Sequence, residues 1–398
     1  MNFKINDHVT CVGKIDWELS SFHGDELSTR KGSSYNSYLI QDEKNVLIDT
    51  VWEPYAKEFV DNLKKVIDLN KIDYIVSNHA EIDHSGALPL LLKEIPGTPV
   101  YCTENGRKNL KGHFHEDWNF VTVKTGDKLN IGERTLTFIE ARMLHWPDTM
   151  FTYMDQDNIL FSNVGFGQHY ASEMMYNDLV DECELYGEAI KYYANILAPF
   201  SQIVTNKIKE ILSFNLPLDM IAPSHGVIWR ENPTQIVTKY LEWADKYKEN
   251  QITLVYDSMW KGTRRMAEAI AAGIKEEDPL VTIKLFSASH VDKNDILTEL
   301  FKSKAYLIGS STINKNVLFA ISGILDMVRG LGFREKKAAA FGSYGWSGEG
   351  IGIIESRLKD SKIDVIMPGI KELWNPDDGA KERCFAFGKE FAEKTREK

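Results

Sequence analysis

Short apolar runs of strand length recur from Tyr35 to about Pro223: YNSYLI, NVLID, DYIVSN, LTFIEA, MFTYM, NILFS and LDMIAPS. Several are joined by turns bearing Gly, Asp or Asn, as strand connections require. Helical spacing interrupts them at 56–69, at 86–94 and, longest, over about 181–214, so this part of the chain is expected to form sheets covered by helices. A helix following Pro233 runs into the charged stretch KYKENQ, which reads as a connector and divides the chain into 1–250 and 251–398. Beyond it the pattern is regular. Strands ITLVYD, LVTIKLF, KAYLIGS, KAAAF and IDVIMP alternate with helices from Thr263, near 292–302, near 317–330, near 349–360 and near 378–394. Five strand–helix units in succession predict an α/β, parallel, doubly wound sheet, which binds ligands in the loops beyond the carboxyl ends of its strands.

Composition narrows the picture without redirecting it. Hydrophobic residues make up 43% of the 398 and charged residues 26%, enough for two substantial cores. The formal charge of −11 and the lack of a basic stripe argue against a nucleic-acid surface. The start MNFKINDHVT is not a signal sequence and no apolar run reaches membrane-spanning length, so no membrane partner and a cytoplasmic location are expected. Cys11, Cys102, Cys183 and Cys384 are scattered, with no Cys-x-x-Cys pair, and are expected to be reduced thiols rather than disulfides or metal ligands.

The densest chemistry lies in Ser77-Asn78-His79-Ala80-Glu81-Ile82-Asp83-His84-Ser85-Gly86, where the strand DYIVSN should end and a helix begin. His79, Glu81 and Asp83 alternate, so an extended loop could aim them to one side while His84 serves a neighbouring ion. Two imidazoles and two carboxylates suit iron or manganese as well as zinc, and burying them together without a metal would be costly. His145 in MLHWPDTM and His225 in APSHGVIW follow strand-like runs and complete a candidate set of His79, Glu81, Asp83, His84, His145 and His225. His8, His113, His115, His169 and His290 are read as ordinary surface or core hydrogen-bonding residues.

A second constellation sits at the carboxyl edge of the doubly wound sheet. Ser258-Met259-Trp260-Lys261-Gly262-Thr263 follows the first strand and opens a helix, an arrangement that can cradle a phosphate or simply cap the helix. Ser310-Ser311-Thr312-Ile313-Asn314 follows the third strand, and Gly342-Ser343-Tyr344-Gly345-Trp346-Ser347-Gly348 the fourth. A flat ring system would fit between them, covered by Trp346 or Tyr344. The dinucleotide fingerprint is missing, which favours a mononucleotide over a nicotinamide cofactor.

At these residues the whole chain resembles the flavodiiron proteins, or A-type flavoproteins. It has their His-x-Glu-x-Asp-His, Leu-His-Trp-Pro-Asp and Ser-His-Gly segments and a flavodoxin-like C-terminal part, in that order. The resemblance implies a metallo-β-lactamase-like αββα domain followed by a flavodoxin-like one, carrying two non-haem Fe ions and FMN. One iron would take His79, Glu81 and His145, the other Asp83, His84 and His225. Glu81 in place of a zinc-binding histidine resembles the iron-binding branch of the fold. The implied activity is reduction of dioxygen to water, nitric oxide to nitrous oxide, or both, with FMN relaying electrons from rubredoxin or a reduced deazaflavin. Because this sequence has no rubredoxin-like cysteine pairs, the donor is expected to be a separate molecule. A head-to-tail homodimer or dimer of dimers is implied, one subunit's flavin beside the other's metals, and His23 and Tyr193 resemble the family's pocket residues. One position departs. Where the family reads Phe-Ser-Asn-Asp-Ala-Phe-Gly-Gln-His, with an aspartate bridging the metals, this chain reads Phe161-Ser162-Asn163-Val164-Gly165-Phe166-Gly167-Gln168-His169. Valine cannot ligate, so either water or hydroxide alone bridges, or metal binding is impaired. Two rivals therefore stand beside the reductase: a metal-dependent hydrolase fused to a flavodoxin domain, and a non-catalytic flavin electron carrier.

Overall fold

Tyr38, Ile40, Val46 and Ile48 pack into one apolar cluster while Leu39 and Leu47, between them in sequence, pack into another. Strands buried on both faces read as unbroken apolar runs, and a layer must lie on each side of them. The computed structural model, which describes residues 1–396, has that arrangement in the first of two compact units, Met1–Tyr193 with Phe200–Ala244. A seven-stranded sheet runs in the order Phe3–Lys4, Val9–Cys11, Tyr38–Ile40, Asn45–Ile48, Ile72–Val76, Val100–Cys102, Phe120–Thr122. A five-stranded sheet runs Lys128–Asn130, Thr135–Glu140, Met150–Met154, Ile159–Asn163, Met220–Pro223. Val46, Ile48, Val76, Phe138, Met150 and Phe161 fill the space between the sheets. Helices Ala56–Leu63, Leu88–Glu94 and Glu104–Phe114 cover the outer face of the first through Phe59, Leu63, Leu91 and Leu110.

The second unit comprises Ala194–Pro199 and the chain from Asp245 onward. Its strands are all parallel, in the order Thr282–Ser287, Glu249–Asp257, Ser303–Ser310, Lys337–Tyr344, the last pairing with both Asp364–Val365 and Ile370–Leu373. The order reverses at Glu249–Asp257, so its carboxyl end and that of Ser303–Ser310 flank the crevice where such sheets take ligands.

Several expectations are corrected. The stretch KYKENQ is only partly a connector, because the strand starts at Glu249 and pairs there with Ser303. The helix expected over 56–69 stops at Leu63. That over 181–214 is Glu182–Tyr192 and Ser201–Ser213 with a wider and then a tighter turn between them, where Pro199 lacks an N–H for the helical ladder. IDVIMP is cut back to Asp364–Val365, and a further strand, Ile370–Leu373, forms beyond Pro368-Gly369. The helix Glu104–Phe114 went unread: it buries only Gly106 and Leu110, and its one strong signal is Thr103, whose hydroxyl accepts from the Gly106 N–H. Among the described residues no helix is long and apolar enough to cross a membrane.

Lys336 is a buried fastener in the second unit. Its ammonium donates to the carbonyls of Tyr247, Phe301 and Ser303 at 2.8, 2.6 and 2.7 Å. Burial, and secondarily Lys248, pull its pKa down to about 7, but three converging carbonyls suit the charged form. Lys336→Met keeps the volume and strands those carbonyls, so a loss of about 3 kcal/mol is expected, read as a lower urea midpoint for flavin release.

Candidate metal centre and flavin site

The strand Ile72–Val76 delivers the chain to Ser77, and the next residues change conformation. Glu81 is extended (φ −59°, ψ 144°) and caps a single helical turn, Ile82–Ser85. The expected all-extended loop is thus corrected: His79 and Glu81 alternate, whereas Asp83 and His84 sit on a helix start. The outcome is two groups of converging ligand atoms, His79 with Glu81 and His145, and Asp83 with His84 and His225. Within the first, His79 Nε2 and His145 Nε2 lie 3.1 and 3.4 Å from Glu81 Oε2. Within the second, His84 Nε2 and His225 Nε2 lie 2.9 and 3.0 Å from Asp83 Oδ2. The His79 and His84 rings are 5.6 Å apart, so the groups adjoin.

The chemistry of these groups fits two cations. Both Asp83 oxygens and both His84 nitrogens are buried without an aligned hydrogen-bond partner. At such short separations, misalignment means that the atoms aim at a common point rather than at each other, which suits a bound ion and would otherwise cost several kcal/mol. The other ring nitrogens are fixed. His225 Nδ1–H donates to the Ser34 carbonyl at 2.7 Å and His79 Nδ1–H to Asp148 Oδ2 at 3.0 Å, leaving each Nε2 lone pair facing inward. Burial would raise the Asp148 pKa, but His79 and the Ala80 N–H hold it below the usual range. Burial likewise opposes ionisation of Glu81 and Asp83, yet the surrounding imidazoles hold both well below ordinary carboxylates. For His79, burial is outweighed by Asp148 and Glu81, which raise it to about 10. The same field that favours a proton there favours a divalent cation.

His23 occupies the turn between the short strands Ser21–Phe22 and Leu27–Ser28 at φ 54°, and its Nε2 lies 2.8 Å from Glu81 Oε1. Tyr193 is placed elsewhere. Its hydroxyl meets Ser201 Oγ at 2.9 Å and its ring packs on Tyr240 and Trp243, whereas the preceding residue, Tyr192, stands 6.3 Å from the His225 ring. Neighbours on a helix point about 100° apart, so a one-residue difference moves a side chain from pocket to core. Asp148, Ser34 and Tyr192 were not singled out in the sequence; only Asp148, three residues after His145, left a readable trace. His169, read as ordinary, is buried 5.0 Å from His225 and bonded through Nδ1 to Ser33 Oγ at 2.8 Å. A cavity of about 520 Å³ opens above Glu81 and Asp83 between Phe22, His23, Trp52 and Trp146.

In the second unit a cavity of about 650 Å³ lies among Met259, Trp260, Gly262, the segment Ser311–Asn314 and the segment Ser343–Ser347. Lys315, Trp374 and Asn375 also line it and were not anticipated. Trp374 left no signal because it follows a strand, Ile370–Leu373, that was not anticipated. Ser258, Lys261 and Thr263 do not line the cavity. Thr263 is a knot instead, its hydroxyl 3.0 Å from Ser311 Oγ and 2.9 Å from Ser343 Oγ. Lys261 takes φ 67° and leaves the helix Gly262–Glu277 without a side-chain cap, while Ser258 Oγ is buried with no partner. Unpaired N–H groups and a waiting hydroxyl are what a phosphate requires. A Cβ on Gly345 would fall 2.9 Å from the Trp374 ring, and Trp260 and Trp346 are 88% and 87% exposed at the rim. Flat apolar walls above an anion cradle fit FMN. Thr263→Val should untie the three loops and weaken FMN binding about tenfold, one charge-neutral hydrogen-bond centre being lost, as measured by flavin fluorescence titration of the apoprotein.

Two sandwiched sheets bearing paired nitrogen-and-oxygen donor sets, joined in one chain to a flavin-binding parallel sheet, define a diiron flavoprotein oxidoreductase. The sequence model described as ODP family beta lactamase matches residues 34–226 and that described as Flavodoxin matches residues 254–388. Over 394 residues the chain is 56% identical to an anaerobic nitric oxide reductase flavorubredoxin of Aliivibrio fischeri, covering 98% of this chain and 79% of that protein. The solved structure of rubredoxin oxygen:oxidoreductase from the anaerobe Desulfovibrio gigas matches with a TM-score of 0.96 and 34% identity, over 100% of this chain and 99% of the other. That of the flavodiiron protein from Giardia intestinalis matches with a TM-score of 0.93 and 32% identity, over 99% and 97%. The chain belongs to the flavodiiron protein family, oxidoreductases that carry FMN and a non-haem diiron site.

Proposed function

We propose that this enzyme reduces dioxygen to water, nitric oxide to nitrous oxide, or both, holding one iron through His79, Glu81 and His145 and the other through Asp83, His84 and His225. The observation that carries the reading is the pairing of two adjoining donor sets, each of two imidazoles and one carboxylate. When bound, two ferrous ions supply two reducing equivalents and reduced FMN two more, enough for the four that dioxygen takes or the two that a pair of nitric oxide molecules takes.

The protein's own part is positioning and access. Asp148 and the Ser34 carbonyl fix the tautomers and planes of His79 and His225. Phe22, Trp52 and Trp146 give the cavity above the donors an apolar mouth, through which a small uncharged gas passes at little desolvation cost while charged solutes are disfavoured. His23, bonded to Glu81, stands where it can hold a proton at Nε2 beside that mouth; burial lowers its pKa, but Glu81 outweighs burial and the net direction is upward.

Electrons enter from a rubredoxin-type donor or a reduced deazaflavin. The exposed Trp260, Trp346 and Trp374 around the flavin cavity support a head-to-tail homodimer or dimer of dimers in which a second copy covers that rim. Four free cysteines, three of them buried, support a cytoplasmic location. Iron and flavin analysis of the purified protein, followed by oxygen- and nitric-oxide-electrode traces with reduced rubredoxin, tests the reading. Iron-loaded, flavin-loaded protein that consumes neither gas would refute it.

A further inference from the structure

One face of the candidate metal centre is backed by oxidisable side chains. Tyr35 is fully buried with its ring 6.0 Å from that of His225, edge to face. Tyr55 lies 5.8 Å from Tyr35 on the other side, and Trp52 lies 6.2 Å from each. The series ends near solvent, where Lys14 caps the partly exposed Tyr55 ring at 4.9 Å and pairs with Glu58. Both phenols share one acceptor. Asp16 Oδ2 accepts from Tyr55 at 2.8 Å and, more loosely, from Tyr35 at 3.4 Å. Asp16 is buried, which is costly for a carboxylate unless its bonds serve a purpose. The antiparallel pairing of Lys14–Asp16 with Ser33–Tyr35 sets this up, placing Tyr35 opposite Lys14 and diagonal to Asp16.

We propose that Tyr35 and Tyr55, with Asp16 as their common proton acceptor, are an electron reserve for the metal centre, used when oxygen arrives while the flavin is oxidised. This rests on the oxygen-reducing reading above. The two ferrous ions then hold only two of the four electrons required, and dioxygen is the oxidant. Tyr35 gives one electron to the metal centre and its phenolic proton to Asp16 Oδ2, becoming a neutral radical. Tyr55 then gives an electron to Tyr35 and its own proton to Asp16, while Asp16 returns the first proton to Tyr35. The oxidising equivalent moves from beside the ligand His225 to the rim, where a soluble thiolate gives one electron to Tyr55 as Asp16 returns its proton; each such passage supplies one electron, and two passages supply the two that the ferrous ions lack.

The test uses the full chain loaded anaerobically with ferrous iron, its FMN left oxidised, mixed with oxygen and freeze-quenched for electron paramagnetic resonance. The expected result is a radical whose spectrum narrows when the protein is made with ring-deuterated tyrosine. It should be lost in Tyr35→Phe at unchanged iron content. In Tyr55→Phe, which leaves the buried position untouched, it should persist on Tyr35 and decay more slowly with added thiol. Oxygen uptake by the wild type without a tyrosine radical, or an equal radical in Tyr35→Phe, would overturn the reserve while leaving the gas-reducing reading intact. No oxygen uptake by the iron-loaded wild type with reduced donor would remove the reserve together with the oxygen-reducing part of that reading.

Discussion

A His79→Ala variant is expected to lose iron and gas reduction while its flavin absorbance stays unchanged. His79 brings one inward lone pair, aligned by Asp148, to a group of three ligands. Loss of an outer partner alone typically costs 10–100-fold in metal affinity, so loss of the ligand should cost about a hundredfold or more. His225→Ala should do the same to the other group, whose Asp83 would then keep only His84. The flavin lies in a differently folded unit with its own core, so it reports on folding. Iron determination beside the visible spectrum checks the prediction: unchanged iron strikes the histidine from the ligand set, and loss of FMN as well indicates general misfolding.

The second large effect is a gain. Two ferrous ions bring four positive charges, and Glu81 and Asp83 return two. Val164 is buried at the end of the strand Ile159–Asn163, its N–H bonded to Asn163 Oδ1, at the position where the resemblance drawn from the sequence implies a bridging aspartate. In Val164→Asp a third carboxylate would return a further charge and span the ions. Iron affinity is expected to rise about tenfold or more, on the scale by which single groups around a metal tune its binding, with turnover rising in parallel. Competition for iron against a chelator, followed by oxygen consumption, measures both. A folded Val164→Asp protein with unaltered affinity would mean that position 164 does not face the metals.

Legibility in the sequence followed the strength of local physics. The doubly wound sheet was plain because each strand–helix unit repeats one pattern, and four of the six candidate ligands, His79, Glu81, Asp83 and His84, stand out because imidazoles and carboxylates so rarely crowd into one short segment. What escaped was whatever depends on a neighbour far along the chain. The Ser34 carbonyl becomes the orienter of His225 only once a strand and a loop 191 residues apart meet. Tyr192 could not be told from Tyr193, since adjacent identical residues differ only in the phase of their helix. The early strands such as Phe3–Lys4 and Leu27–Ser28 are two residues long, too short to show a period.

The change from extended chain to helix between Glu81 and Asp83 has a mechanical consequence. Each donor set draws a carboxylate from this one short piece, so the spacing of the two ions is set by Ile82 and the turn that begins there. One residue inserted at that point would swing Asp83 and His84 by about 100° and carry them out of register with His225. The segment acts as a ruler, and length is the property it can least afford to vary.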